Sequence, residues 1–245
     1  MISATNLMRF VYSLVCYLIG VGSLIYFIVF VNDLFLTKTV NSIVEVDSML
    51  LAITVNVFAI SLFGVQHSVM ARASFKRWLS RYIHPSMERS TYVLFTALAI
   101  GAMCYLWVPF GSVVWHIESE VAVSVVRALA LFGWGFLLLA TFLINHFELF
   151  GLSQTFNPLR GAAAPEKCFK TTGLYKVVRH PIQTGVLIGM WAVPLSTVSH
   201  VFFSVGMTLY IFVGLYFEEK DLIKEFGSTY LDYMRRVKRL IPFVA

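Results

Sequence analysis

FVYSLVCYLIGVGSLIYFIVFV, Phe10 to Val31, decides the fold. It carries no charged side chain and is long enough to span a bilayer core, which takes about 20 apolar residues in a helix. It is too long for the apolar part of a secretory signal and lacks a small-residue cleavage site, so it reads as a membrane helix. The same reading extends outward to Met49–Val69, Thr91–Pro109 and Val121–Ile144, and then to Pro181–Thr197 and His200–Phe217. The last two are split by the short break Ser196-Thr197-Val198-Ser199 and are expected as two thin spans or a hairpin. Of the 245 residues, 58% are hydrophobic and 13% charged. A water-soluble domain carries roughly 25% charged residues, so lipid is the expected solvent of the outer face. The fold class is all-α, a polytopic integral membrane helical bundle of about six transmembrane helices with a cytoplasmic C-terminal helix.

Charge placement sets the orientation. Arg72, Lys76, Arg77, Arg81 and Arg89 follow the second span. Arg160, Lys167, Lys170, Lys176 and Arg179 follow the fourth, and Lys220, Lys224, Arg235, Arg236, Lys238 and Arg239 occupy the tail. The loops after the first and third spans hold Asp33, Glu45, Asp47, Glu118 and Glu120 against Lys38 alone. Six crossings put every basic loop on one side, the cytoplasmic one. The net charge of +6 therefore reports topology and not nucleic-acid binding. Cys16, Cys104 and Cys168 are scattered, offering neither a disulfide framework nor a zinc site. The chain reads as one domain, 1–245: a four-helix part over 1–144, then a loop, hairpin and tail over 145–245. No obligate protein partner is evident.

Polar groups stand where lipid would penalise them in four places. Gln66-His67-Ser68 ends the second span, and Asn145-His146-Phe147-Glu148 ends the fourth. Each has a plain alternative as a helix end emerging into water. The third is Gly173-Leu174-Tyr175-Lys176-Val177-Val178-Arg179-His180-Pro181, leading into Gln183 and Gly185. Pro181 suits the first position of a helix, which leaves unbonded amides aimed at whatever precedes them. Gly185 and Gly189 are spaced either for helix packing or for close approach of a ligand. The fourth is Glu218-Glu219 at the end of the last span, a pair that is costly unless it meets cations or donors. Beyond it Leu222, Phe226, Tyr230 and Tyr233 recur at helical spacing. No metal is implied: the histidines lack closely spaced boxes and no H-E-x-x-H occurs. No glycine-rich phosphate loop follows a strand. A haem held by two of His67, His146, His180 and His200 stays open. These residues describe a cytoplasm-facing polar site closed by an acidic helix end.

Gly173-x-Tyr175-x-x-x-Arg179-His180-Pro181, then Gly185, Glu218-Glu219, Phe226-Gly227, Tyr230, Tyr233 and Ile241-Pro242, resembles the isoprenylcysteine carboxyl methyltransferase superfamily of membrane enzymes, which includes nurim-like proteins. Gln66 to Arg72, Glu88 to Tyr92 and Asn145 to Gln154 are similar to its bacterial methanethiol S-methyltransferase branch. The resemblance implies S-adenosylmethionine as methyl donor and a small thiol as acceptor, giving dimethyl sulfide from methanethiol or methanethiol from hydrogen sulfide. It implies a bacterial inner-membrane location with the active site facing the cytoplasm. Cofactor contacts would come from Tyr175, His180, Pro181, Gln183, Gly185, Glu218, Glu219 and Tyr230. Catalytic candidates are His67, His146, Glu148 and Arg179. The chain departs from the pattern at Gln183, where the superfamily carries an aromatic, and at Gly214-Leu215-Tyr216-Phe217, where carboxyl methyltransferases carry an arginine. The missing cation argues against an acidic acceptor. The competing readings are a larger lipid-like thiol, carboxylate or amine as acceptor, and a non-catalytic nurim-like protein.

Overall fold

A computed structural model describes residues 3–162 and 169–242. The elements run α1 (Ala4–Val31), α2 (Met49–Ala71), α3 (Ala73–Leu79), α4 (Glu88–Leu106), β1 (Val113–His116), α5 (Glu120–Ile144), α6 (His146–Leu149), α7 (Ser153–Leu159), α8 (Pro181–Trp191), β2 (Leu195–Thr197), α9 (Val198–Phe226) and α10 (Ser228–Arg236). Among the described residues five helical stretches are long and apolar enough to cross a bilayer: Ala4–Val31, Met49–Ala71, Pro85–Leu106, Glu120–Ile144 and Val198–Phe226. The protein is a polytopic, mainly helical membrane protein. Lys167 and Cys168, named above as a loop cation and a scattered cysteine, lie outside the described residues.

The helix expected over Pro181–Thr197 stops at Trp191. Pro194 has no amide to continue it, and Leu195–Thr197 pairs antiparallel with the β-branched and aromatic run Val113–His116. A two-stranded ribbon therefore ends the run expected as helix, its second strand taking in part of the Ser196–Ser199 break and its first lying in the loop after the third span. The Thr197 side chain then accepts from the His200 amide and starts α9. The continuous tail helix suggested by Leu222 to Tyr233 is broken at Gly227, whose φ of 56° suits glycine, so α10 is a separate piece.

The chain forms two compact units, each drawing on both sides of Ile144. The first comprises 1–27, 53–107 and 145–167. Here α1 meets α4 through Tyr12 Oη and Thr91 Oγ1 at 2.8 Å and Ser13 and Ser90 hydroxyls at 2.8 Å. Gly151 backs onto Ser90 so closely that a Cβ would lie 2.6 Å from its amide nitrogen, and its φ of 87° excludes most side chains as well. Met70, Tyr92 and Val93 form a core cluster against which Phe75, Leu79 and Phe150 pack.

The second unit comprises 28–52, 108–144 and 168–245. Its axis is α5 against α8: a Cβ on Gly185 would sit 2.5 Å from the Gly133 carbonyl oxygen, and one on Gly189 would strike the Trp134 ring at 2.4 Å. Gly185 therefore serves helix packing, and the face its side chain would occupy is covered. Asn41 ties the ribbon down, donating to the Leu195 carbonyl at 3.0 Å and accepting from the Thr197 amide at 2.9 Å. Val178 bridges Lys238 in parallel, with the Arg179 and His180 amides donating to the Lys238 and Arg239 carbonyls at 2.7 and 3.1 Å.

Candidate active site

Each unit carries one cluster of the sequence-derived candidates. In the second unit, the short bridge to residues 238–239 delivers Arg179 and His180 beside α9, where two consecutive glutamates point about 100° apart on the helix. Glu219 is buried and Glu218 is about half exposed. Glu219 Oε1 accepts from Arg179 Nε at 2.9 Å and Nη2 at 2.8 Å, and lies 3.2 Å from His180 Nε2. Its Oε2 pairs with Arg239. Both carboxylate oxygens are thus taken, as a buried carboxylate requires. Arg179 Nη1 also donates to the Met234 and Val237 carbonyls at 3.2 and 2.6 Å, closing the C-terminal end of α10. Arg179 therefore braces the tail rather than standing free as an acid or base. His180 Nδ1 faces Glu218 Oε2 at 3.9 Å.

Around this ion cluster stands an aromatic one. Tyr233 donates to the Tyr175 carbonyl at 2.6 Å, and Tyr175 to the Ala140 carbonyl at 3.5 Å. The Phe169 ring lies 5.0 to 5.6 Å from Phe226, Tyr230 and Tyr233. Tyr230 is 1% exposed, and among the described residues its hydroxyl has no hydrogen-bond partner. Burial pushes the Tyr175, Tyr230 and Tyr233 phenols upward, Tyr233 to about 12, with the Glu219 and Glu218 charges adding to the rise at Tyr230. All three remain neutral donors. Pro181 opens α8, whose first internal bond runs from the Thr184 amide to the His180 carbonyl at 3.0 Å. The amides of Ile182 and of half-buried Gln183 precede it.

The first unit holds the histidines. His67 Nε2 lies 2.8 Å from Tyr92 Oη, and its Nδ1 lies 3.2 Å from Thr96 Oγ1. Phe63 stacks on the imidazole at 5.4 Å. His146 is 5% exposed, with Nε2 3.0 Å from Tyr17 Oη and its ring 4.7 Å from Phe150. Burial lowers its pKa. Asn145 caps α6 and donates to Glu148 Oε2 at 2.8 Å, fixing that carboxylate. Arg89 connects the pieces: its guanidinium lies 4.9 Å from the Tyr92 ring centroid, and its Nε donates to the Leu149 carbonyl at 2.6 Å. Gln154 Nε2 donates to the Glu148 carbonyl at 3.0 Å, and among the described residues its buried Oε1 has no partner.

Sequence reasoning missed Tyr17, Tyr92, Arg89 and Arg239. Arg89 and Tyr92 carried a signal only as members of the Glu88-to-Tyr92 stretch that resembles the methyltransferase branch. Tyr17 sits in an apolar run and reads as packing, and Arg239 is one of several tail cations.

Known proteins resemble this chain over most of its length. Methanethiol S-methyltransferase 1 of Bradyrhizobium diazoefficiens is 43% identical over 235 residues, 96% of this chain and 82% of that protein. Methanethiol S-methyltransferase of Mycobacterium tuberculosis is 40% identical over 233 residues, 95% of each. The chain belongs to the methanethiol S-methyltransferase family. Membership makes it a methyltransferase. Nurim of Sus scrofa is more distant, 29% identical over 184 residues, 72% of this chain and 70% of that protein. No family model and no solved structure matches the chain.

Proposed function

We propose that this protein transfers the methyl group of S-adenosylmethionine to methanethiol, producing dimethyl sulfide, at the cytoplasmic face of a bacterial inner membrane. The observation that carries the donor assignment is the buried Tyr230 hydroxyl without a partner, held between Phe169 and the glutamate pair. An unsatisfied buried hydroxyl costs about 1–3 kcal/mol, which a bound polar ligand would recover. The other residues present fit the same group. Glu218, the carboxylate left available, suits a cationic amine or sulfonium; the first amides of α8 suit a carboxylate or ribose oxygen; the aromatic rings suit a purine and a cation. When bound, S-adenosylmethionine supplies an electrophilic methyl group on a sulfonium.

This chain's residues have two tasks. Glu219, with Arg179, His180 and Arg239, fixes the cofactor wall, while Tyr230 and Glu218 bind. His67 or His146, with Glu148 near the latter in sequence, takes the thiol proton, since a thiolate is the competent nucleophile. With S-adenosylmethionine bound, its sulfonium would supply the methyl group to the thiolate and would leave as a neutral thioether, while the base would keep the thiol proton. The absence of a cation in Gly214–Phe217 favours a neutral acceptor.

Six crossings fit this placement. In the second unit α8 runs antiparallel to α5, and its extended continuation reaches β1, next to the start of α5. Helix plus strand thus cover the length of a full span with fewer residues, because an extended residue advances about 3.3 Å and a helical one 1.5 Å. Counted as a crossing, it supports the even number of spans that the charge placement calls for.

The test is headspace detection of dimethyl sulfide from purified protein given methanethiol and S-adenosylmethionine, with S-adenosylhomocysteine binding by calorimetry. Binding without dimethyl sulfide would reassign the acceptor; neither binding nor product would remove the reading.

A further inference from the structure

The segment Arg72–His84 lies just beyond the apolar span of α2. Its inner side is fixed: Phe75 and Leu79 pack on the Met70, Tyr92 and Val93 core. That anchoring forces the opposite side outward, and there Arg77, Trp78, Arg81 and Tyr82 are exposed, Trp78 by 47% and Tyr82 by 71%. The rings of Phe75, Trp78 and Tyr82 form a continuous run with centroids 5.1 and 5.2 Å apart.

Neither arginine has an acidic partner among the described residues. Glu88 is the sole acid between Val69 and Leu106, and its Oε1 is buried. The exposed apolar side chains Val65 and Val69, on the last turns of α2, lead up to the patch. In sequence, exposed apolar side chains at the end of a membrane-length helix are thus followed by two large exposed aromatic rings and two guanidiniums without an acidic partner among the described residues. That order matches the depth profile of a leaflet, with acyl chains, then the interfacial level that tryptophan and tyrosine prefer, then phosphate.

We propose that the Arg77–Tyr82 face is a docking surface for anionic phospholipid headgroups. Arg77 and Arg81 engage the phosphodiester, for which a guanidinium fork is shaped, and Trp78 and Tyr82 lie at the glycerol level. A soluble acidic protein would satisfy the arginines but leave the rings and the adjoining Val65–Val69 surface unexplained.

The experiment uses the full chain in phosphatidylcholine nanodiscs doped with photoactivatable phosphatidylglycerol, followed by irradiation and peptide mapping. Adducts are expected on the Arg77–Tyr82 segment. A surface cation is worth about fivefold in local anionic lipid, so Arg77→Gln with Arg81→Gln should cut those adducts roughly tenfold or more. Labelling around Arg235 and Arg236 should stay unchanged, and Arg77→Lys with Arg81→Lys should retain most of the signal. Equal labelling by photoactivatable phosphatidylcholine, absence of adducts on the segment, or undiminished labelling in the glutamine variant would each overturn the proposal.

Discussion

The two clusters solve opposite problems with buried polar groups. Around Glu219 one carboxylate is shared by Arg179, Arg239 and His180, so charge is answered by charge and nothing is free to move. Around His67 and His146 hydroxyls stand within hydrogen-bond distance, those of Tyr92, Thr96 and Tyr17. A neutral imidazole beside a phenol keeps its capacity to accept a proton; an imidazole beside a carboxylate in an ion cluster is held in place. The contrast separates the two roles proposed above: the Arg-His-Pro motif as a brace, and the quieter histidines as the candidates for proton chemistry.

The largest break in that comparison is Glu219→Ala. It leaves two guanidiniums near a buried site without their counter-charge, a loss of roughly 3–5 kcal/mol for a buried pair. Detergent-solubilised protein should melt markedly lower and bind S-adenosylhomocysteine at least 100-fold more weakly, roughly the equivalent of 2.7 kcal/mol. Glu218→Ala, at a half-exposed position, should weaken binding with little change in melting. Equal melting losses in both variants would erase the distinction between brace and ligand.

How much of this the sequence discloses depends on length and direction. Apolar runs such as Phe10–Val31 report spans because the bilayer imposes a length on them. Pro181 reports a helix start because its chemistry is local. The sequence does not disclose which of Glu218 and Glu219 faces inward, since adjacent helical positions differ only by rotation and the partners, Arg179 and Arg239, lie 40 and 20 residues away. Nor does it disclose the ribbon, whose strands of four and three residues are too short for a period-two pattern. Tyr17 and Tyr92 look like core aromatics because only their hydroxyls, and not their rings, distinguish them from phenylalanine.

Next in size is loss of the base. His67→Gln and His146→Gln should each be read in single-turnover rates with donor affinity measured alongside. The variant lacking the base should slow by about 10²-fold, the low end of general-base catalysis, because some thiolate forms without help. Donor affinity should hold within about twofold, since truncating a proton acceptor removes no binding contact. A variant that loses affinity in proportion to rate is not a base.

Smaller is Tyr230→Phe. The deleted hydroxyl has no partner, so the melting temperature should stay level or rise slightly. S-adenosylhomocysteine affinity should fall about tenfold, the value of one buried hydrogen bond. Tyr233→Phe provides the opposing case: its hydroxyl holds the Tyr175 carbonyl, and removal should lower stability by about 1 kcal/mol. If Tyr230→Phe behaves like Tyr233→Phe, the Tyr230 hydroxyl is structural.

The finest distinction is in pH. Burial lowers the His146 pKa below its ordinary 6.5. The folded protein therefore binds fewer protons than the unfolded chain in the window beneath that value, and stability rises with pH there. The contribution from a neutral His146 is complete above 6.5 and is lost progressively as pH falls towards the folded-state pKa. The same shift keeps the imidazole competent as a base at pH values where a solvent-exposed histidine is already protonated. If His146 is the base, the acidic limb of kcat/KM should lie below 6.5 and disappear in His146→Gln. A limb that persists unchanged in that variant would pass the role to His67, and a limb at or above 6.5 would remove His146 from consideration.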